Sequence, residues 1–156
     1  MIITNGAIVG DFCPFPFETN APPFRIDSDE YIEEMKKFPE IVHKYNSYIL
    51  LDLVHLGLLA SLEPAYSPSG GKGLLKDIET KEMTKEDILR IQDYFVQGAI
   101  RAKKAGFDGI EIHGGHLTLV SSFFSQMFNR RTDEYGGSDE NRARFLVEII
   151  KKLEKL

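Results

Sequence analysis

The sequence predicts an α/β fold, specifically part of a (β/α)8 barrel with about three parallel strands and their helices. Strand-like and helix-like segments alternate along the 156 residues, which is typical of parallel sheets built from right-handed crossovers. The run "YILLDLVHLG" (48–57) is almost continuously apolar, as expected of a strand covered on both faces. No GxGxxG motif follows the first strand, which favours the barrel over an open dinucleotide-binding sheet.

The first two elements are predicted to be a strand and a helix. "IITNGAIV" (2–9) is expected to form a buried strand. In 27–46, apolar residues recur every three to four positions and predict a helix that Asp27 or Ser28 could cap. Pro39 should kink or restart this helix, because proline lacks a backbone amide. The apolar stripe consists of Ile32, Met35, Phe38 and Val42.

The middle of the chain is predicted to contain a strand, a long loop and a long helix. The strand is 48–57, and 58–83 is expected to be a loop because it contains the breaker-rich run "SPSGGKG". Thr84 and Asp87 have the spacing of a capping box, and Gly106 is well placed to end the helix that they begin. The core-facing stripe of this helix is Ile88, Ile91, Phe95, Ala99 and Ala102.

The last part is predicted to be a short strand, a loop and a helix. The strand is "FDGIEIH" (107–113), in which Glu111 is expected to be paired or hydrogen-bonded. The loop includes "NRRTDEYGGS" (129–138), which mixes both charge signs and taken alone indicates a solvated turn. Ser138 is the expected cap of a helix that buries Phe145, Ile149 and Leu153.

Composition narrows the class of protein. The net charge of −5 argues against a nucleic-acid partner, because phosphate binding needs a basic face. Cys13 is the single cysteine, so neither an internal disulfide nor a cysteine metal cluster is expected. No apolar run approaches the length of a membrane span, and a cytoplasmic location is expected.

Polar residues cluster where two of the predicted strands end. Asp52 and His55 lie at the end of the middle strand, and His113 and His116 follow the third. A barrel places its chemistry at these carboxyl ends. Two imidazoles three residues apart could polarise one substrate oxygen, could bind a metal, or could be satisfied loop histidines. The residue types alone leave these readings open, and Asp52 could simply cap neighbouring amides.

Longer motifs carry a family resemblance. "AGFDGIEIHGGH" and "NRRTDEYGGSDENRARFLVEI" resemble the Old Yellow Enzyme family of FMN-dependent NAD(P)H:flavin oxidoreductases, and "IITNGAIV", "LLDLVHLG" and "MTKEDI" match it in order. The resemblance implies a barrel with FMN at its mouth. It implies hydride transfer from NAD(P)H to the flavin, and then to the β-carbon of an activated alkene such as an enone. His113 and His116 fall on the catalytic pair that binds the substrate's carbonyl oxygen.

The sequence departs from the family pattern at four positions near this pair. Asp52, the expected cofactor-binding position, replaces a glutamine that hydrogen-bonds the flavin, and an ionised carboxylate cannot donate as glutamine does. Thr118 occupies the position of a proton-donating tyrosine, although threonine is a weak acid. Leu58 replaces a frequent arginine and Leu117 a frequent glycine.

The resemblance covers the second to fourth barrel units, so residues 1–156 are expected to form a single partial barrel domain. A small-molecule substrate is expected. The open sheet edges predict a homo-oligomer or a complementary barrel fragment as partner. Two alternatives are a non-catalytic self-association module and a metal-dependent hydrolase. The hydrolase would use Asp52, His55, His113 and His116 as zinc ligands.

Overall fold

A central parallel sheet organises the chain. The structure, a computed structural model, describes residues 1–11, 24–74 and 77–156, so Cys13 lies outside the described residues. The strands of this sheet are β1 (Ile2–Ile3), β2 (Ala7–Ile8), β3 (Ile49–Val54) and β7 (Gly109–Ile112). All pairings to the central β3 are parallel, which confirms the predicted fold class.

Strands β1 and β2 occupy the same edge of β3 and are two parts of one interrupted strand. Leu50 pairs with Ile3 on one side and with Gly109 of β7 on the other. Leu53 likewise pairs with Ala7 on one side and with β7 on the other. Three residues separate Ile3 from Ala7, whereas two separate their partners on β3, so the extra residue makes a bulge. In space the sheet is therefore three strands wide, as predicted.

The burial expected of the first strand holds for only one of its two parts. Ala7, Ile8 and Val9 are almost completely buried. Ile2 and Ile3 are 47% and 46% exposed, so the prediction was wrong there. The physical reason is that residues 24–26 cover the outer side of β2, where Ile8 bonds to Phe24 and Ile26, whereas no described strand lies outside β1.

The first predicted helix is divided into short pieces. A 3₁₀ turn (Asp29–Tyr31) leads into α1 (Ile32–Met35), and α2 (Lys37–His43) follows after a break. Pro39 lies in the first turn of α2, where no intrahelical amide is required, so the predicted restart is confirmed. Ser28 occupies the N-cap position without a side-chain capping bond. Phe38 is 40% exposed, although it belongs to the apolar stripe on which this helix was predicted.

Helix α3 (Lys85–Lys104) agrees with the sequence in detail. Thr84 Oγ1 accepts from the Asp87 amide at 3.1 Å, and the Asp87 carboxylate accepts from the Thr84 amide at 3.1 Å. This is the predicted capping box. The predicted stripe is buried, and Gly106 follows the helix with a φ of +91°. The helix packs on β3 and β7.

Helix α5 (Asp139–Leu153) is also where it was predicted. Ser138 Oγ accepts from the Asn141 amide at 3.2 Å and caps its start. Phe145 and Ile149 are completely buried, and Leu153 is partly buried. The helix packs on α3 and on α4 (Leu119–Phe124), a short helix that the sequence did not predict.

The segment predicted as a long loop contains a second sheet. Its strands are β4 (Ala65–Ser67), β5 (Gly71–Lys72) and β6 (Glu79–Glu82), in the order β4-β6-β5. Strand β4 is parallel to β6, and β5 is antiparallel. Strands of two to four residues are too short to show the alternation that identifies a strand in a sequence. The prediction of a structureless loop was therefore wrong.

The two faces of the central sheet have different surroundings. Ile49, Leu51 and Leu53 belong to the main core with α3 and α5. Since side chains alternate along a strand, Asp52 and Val54 lie on the other face. There Val54 joins a smaller apolar cluster with Ile8, Leu56, Ala60 and Ala65. Glu111 is exposed, so the burial that would have required a pairing partner is absent. Among the described helices, none is long and apolar enough to cross a membrane.

Candidate functional site

Asp52 and His113 come together at the carboxyl ends of β3 and β7. Asp52 is paired in register with Glu111, so His113, two residues further on, emerges on the same face of the sheet. The Nδ1 of His113 lies 2.8 Å from Oδ2 of Asp52. The aspartate side chain is 8% exposed and the histidine side chain is 24% exposed. Sequence reasoning identified both residues but did not foresee that they form a pair.

His116 extends this pair into a chain of three groups. The Nδ1 of His116 lies 3.2 Å from Nε2 of His113, and the two rings are nearly parallel with centroids 5.4 Å apart. His116 and Leu117 have φ angles of +55° and +59°. This left-handed conformation is costly for residues with a β-carbon, and it places His116 beside His113. The frequent glycine of the family at position 117 is explained by the same angle.

Thr118 holds the loop that carries the two histidines. The residue is 2% exposed, and its hydroxyl donates to the carbonyl of Gly115 at 2.9 Å. Ser121 Oγ donates to the same carbonyl at 3.0 Å. Thr118 also occupies the N-cap position of α4, although its side chain makes no capping bond. Its single hydroxyl proton is thus engaged within the loop.

Two buried polar atoms lie near the strand ends without a hydrogen-bond partner among the described residues. They are Oδ1 of Asp52 and Nδ1 of His55. The backbone amide of Asp52 donates to Thr4 Oγ1 at 3.1 Å, which anchors the residue but leaves Oδ1 unsatisfied. An unpaired buried carboxylate oxygen is costly in free energy. Such atoms are expected where a ligand supplies the missing donor.

His55 belongs to a different cluster from the other two histidines. Its Nε2 lies 3.5 Å from Oδ2 of Asp11, and Arg90 Nη1 donates to both oxygens of that carboxylate at 2.9 and 3.0 Å. Burial raises the pKa of Asp11, but the hydrogen bonds and charges of His55 and Arg90 outweigh it and lower the pKa below its usual range. The structure therefore does not bring His55 together with His113 and His116.

Half of the charged run 129–138 is exposed, as its composition indicated, but Asn129, Tyr135 and the side chain of Arg131 are buried. Arg131 is almost fully buried and donates to the carbonyls of Pro68 and Met83 at 2.7 and 2.6 Å. It also forms an ion pair with Asp133 at 2.6 Å. Because Pro68 and Met83 directly follow β4 and β6, these bonds connect the run to the small sheet.

The same run contacts α4 and α5. Asn129 Nδ2 donates to the carbonyls of Phe123 and Tyr135 at 2.8 and 2.7 Å. A β-carbon on Gly136 would come within 2.1 Å of the Arg131 carbonyl oxygen, so only glycine fits there. The specific sequence of this run is therefore explained by packing around the site. No local signal indicated this packing, because the carbonyls that accept from Arg131 are 63 and 48 residues away in sequence.

No metal centre is formed by the residues proposed as zinc ligands. Within the described ranges, no group of three or more His, Cys, Asp or Glu side chains is arranged to hold a metal ion. Two of the proposed ligands, His113 and His116, direct ring nitrogens at each other rather than at a common point.

Comparison with known proteins decides the family. The model of the NADH:flavin oxidoreductase / NADH oxidase family matches residues 1–156. The chain belongs to this family. The resemblance to Old Yellow Enzymes is thereby confirmed, and FMN with NAD(P)H as reductant are the cofactors of the family.

The chain spans only about a fifth to two fifths of the length of the curated relatives that it matches. The chain is 44% identical over 130 residues to the NADPH dehydrogenase of Bacillus subtilis (strain 168), covering 83% of this chain and 38% of the relative. It is 38% identical over 137 residues to the NADH oxidase of Thermoanaerobacter brockii, covering 84% of this chain and 21% of the relative. The family's sequence is thus matched over only part of its length.

Solved structures of the family have the same fold. Old Yellow Enzyme from Pichia sp. AKU4542 matches with a TM-score of 0.83 at 34% identity, covering 99% of this chain and 43% of the other. Morphinone reductase matches with a TM-score of 0.85 at 28% identity, covering 99% and 46%. These neighbours are TIM-barrel enzymes, so the sheet of this chain corresponds to part of a barrel.

Proposed function

We propose that this chain forms the substrate-binding part of an FMN-dependent NAD(P)H oxidoreductase of the Old Yellow Enzyme type. The complete protein would transfer hydride from NAD(P)H, by way of the flavin, to an activated alkene such as an enone. The observation that carries the proposal is the chain of Asp52, His113 and His116 at the carboxyl ends of β3 and β7. A barrel enzyme places its active site at this edge of the sheet.

In this proposal the histidine pair binds the oxygen of the substrate. His113 and His116 would hold a carbonyl or phenolate oxygen and polarise it, which is electrophilic catalysis. His116 is exposed and His113 is partly exposed, so a ligand can reach them. Thr118 is given no proton-transfer role, because its hydroxyl donates to the Gly115 carbonyl.

The unsatisfied Oδ1 of Asp52 fits one part of a flavin. The isoalloxazine ring carries an imide N–H, and a buried carboxylate oxygen without a partner is an acceptor for such a donor. The same oxygen would not fit a ring carbonyl, since both groups are acceptors. When bound, FMN supplies the redox chemistry, and the protein contributes orientation and charge.

Residues 1–156 are proposed to be one partial barrel unit that a complementary barrel segment completes. The outer edges of β1 and β7 have no neighbouring strand among the described residues. Ile2 and Ile3, which form β1, are about half exposed. Unpaired edges and exposed apolar residues favour association, and a second copy of this chain is the alternative partner. The cytoplasmic location stays a prediction from the sequence.

The first test is an absorption spectrum of the purified chain after incubation with FMN and removal of the excess. We expect a flavin band that co-sediments with an assembly larger than a monomer. Addition of a phenol should perturb this band, and His113→Ala or His116→Ala should abolish the perturbation without releasing the flavin. His43→Ala, which removes a histidine far from the site, should behave as the wild type.

A tightly monomeric chain that retains no flavin under these conditions would contradict the proposal. Stoichiometric bound metal in place of a flavin band would instead favour the hypothesis of a metal-dependent hydrolase.

A further inference from the structure

The hydrogen-bond chain at the site has a direction that the chemistry of Asp52 sets. An ionised carboxylate can only accept hydrogen bonds. The 2.8 Å contact between Asp52 Oδ2 and His113 Nδ1 therefore requires the ring proton of His113 to be on Nδ1. A neutral His113 then has a lone pair on Nε2.

The proton of the second ring, that of His116, is also on Nδ1. The Nε2 of His113 lies 3.2 Å from the Nδ1 of His116, and a lone pair on the former needs a proton on the latter. A neutral His116 thus also carries its proton on Nδ1, and its own Nε2 carries a lone pair. The backbone at His116 and Leu117 is left-handed, and strained conformations of this kind cluster at functional sites.

We propose that Asp52 is a positioning residue that holds both histidines in the Nδ1–H tautomer and makes His116 Nε2 the proton-transfer atom of the site. In the neutral state that atom is an acceptor, so it binds ligands that bring a hydroxyl proton, such as phenols and enols. A carbonyl or phenolate oxygen, the ligand of the proposed function, is itself an acceptor and is bound only after the pair has taken up one proton.

The role in proton delivery rests on the proposed function. With one added proton, His116 carries hydrogen on both ring nitrogens. Transfer of the Nε2 proton to a substrate atom breaks that N–H bond and forms one bond to the substrate. His116 then returns to its neutral form, with the Nδ1 proton still donated to His113. In this way His116 supplies the proton that Thr118 is not placed to supply.

Nitrogen-15 NMR of histidine-labelled chain tests the assignment without any flavin. The molecule contains its own control, because His43 contacts Asp108 through the opposite nitrogen, with Nε2 2.9 Å from Oδ2. At a pH where the rings are neutral, we expect His113 and His116 to show the Nδ1–H pattern and His43 the Nε2–H pattern.

Asp52→Leu, which leaves no acceptor at this position, should change only the signals of His113 and His116. With no oxygen to accept the Nδ1 proton, these two residues should lose the Nδ1–H pattern, while the His43 signals stay as they were. Unchanged His43 signals also report that the sheet is intact. Wild-type protein with His113 or His116 protonated on Nε2 alone would overturn the proposal.

This result is independent of cofactor binding. If the chain retains no flavin but shows the expected tautomers, the proposed function fails and the positioning role of Asp52 stands. If flavin is retained and the tautomers are reversed, the proposed function stands and the role of Asp52 is refuted.

Discussion

The two ends of the β3–β7 strand pair each carry one aspartate–histidine contact, and the two contacts serve different purposes. At the amino end, His43 Nε2 lies 2.9 Å from Asp108 Oδ2. At the carboxyl end, His113 Nδ1 lies 2.8 Å from Asp52 Oδ2. The residue types and distances are nearly the same, so the difference between the pairs comes from their surroundings.

The amino-end pair is satisfied and open to solvent. The side chains of His43 and Asp108 are 44% and 27% exposed. Asp108 Oδ2 also accepts from the Ile49 amide at 2.8 Å, which ties the start of β3 to the turn before β7. The hydrogen bond from His43, followed by that from the Ile49 amide, lowers the pKa of Asp108. This contact closes a turn.

The carboxyl-end pair is buried and incompletely satisfied. Oδ1 of Asp52 has no partner among the described residues, and the second ring nitrogen of His113, Nε2, contacts Nδ1 of His116. The positive φ angles differ in the same way. At the amino end that conformation is taken by Asn46 and Gly106, residue types that adopt it readily, whereas after His113 it is taken by His116 and Leu117. Unsatisfied atoms and backbone strain therefore collect at the end of the sheet where chemistry is expected.

The largest difference between the pairs should appear when each histidine is removed. His113→Ala leaves the Asp52 carboxylate buried without a partner, which should lower the free energy of unfolding by about 3 kcal/mol. His43→Ala should have little effect, because solvent can reach Asp108. Urea denaturation measures both. Adding Asp52→Asn to His113→Ala should recover part of the loss, and equal losses for the two histidines would contradict the comparison.

A smaller effect is expected from the strained backbone. Leu117→Gly removes a β-carbon at φ +59° and should raise the free energy of unfolding by about 1 kcal/mol. The matched control is Gly137→Ala, at φ +80° with no atom within 4 Å of the new β-carbon, which should lower it by a similar amount. Thermal unfolding of the two variants gives both values. A loss of stability in Leu117→Gly would show that the leucine side chain contributes more than the strain costs.

The smallest effect is expected in the pH dependence of the free energy of unfolding, through Asp108 at the amino end of the β3–β7 strand pair. Because the pKa of Asp108 is lower in the folded chain than the value of about 3.9 for an unfolded one, its carboxylate stabilises the fold above that pH. This contribution disappears as the pH falls through the folded-state pKa. Denaturation between pH 5 and about 2 should therefore show a weaker pH dependence in Asp108→Asn. Asp77→Asn, at an exposed residue, is the control and should follow the wild type.

Long periodic elements and end signals could be predicted from the sequence because local chemistry decides them. The capping box at Thr84 and the glycine after α3 are set by residues within a few positions of each other. The apolar run of β3 likewise identified the central strand. The positions of Asp52, His113 and His116 at strand ends followed from these elements.

The short elements could not be predicted. Strands β4, β5 and β6 have two to four residues each, too few to show a period. The burial of Arg131 could not be predicted either, because its acceptors Pro68 and Met83 are 63 and 48 residues away in sequence. An arginine is interpreted as solvated unless such distant carbonyls are known to surround it.

The sequence by itself determined the family, the parallel α/β architecture and the two histidines of the candidate site, because these depend on local periodicity and on motifs of adjacent residues. Only the tertiary structure decided that Asp52 contacts His113, that His55 turns to Asp11, and that Thr118 is engaged with Gly115. The register of β3 against β7 brings groups 61 residues apart within hydrogen-bond distance. That register depends on the packing of the whole sheet, and no local pattern encodes it.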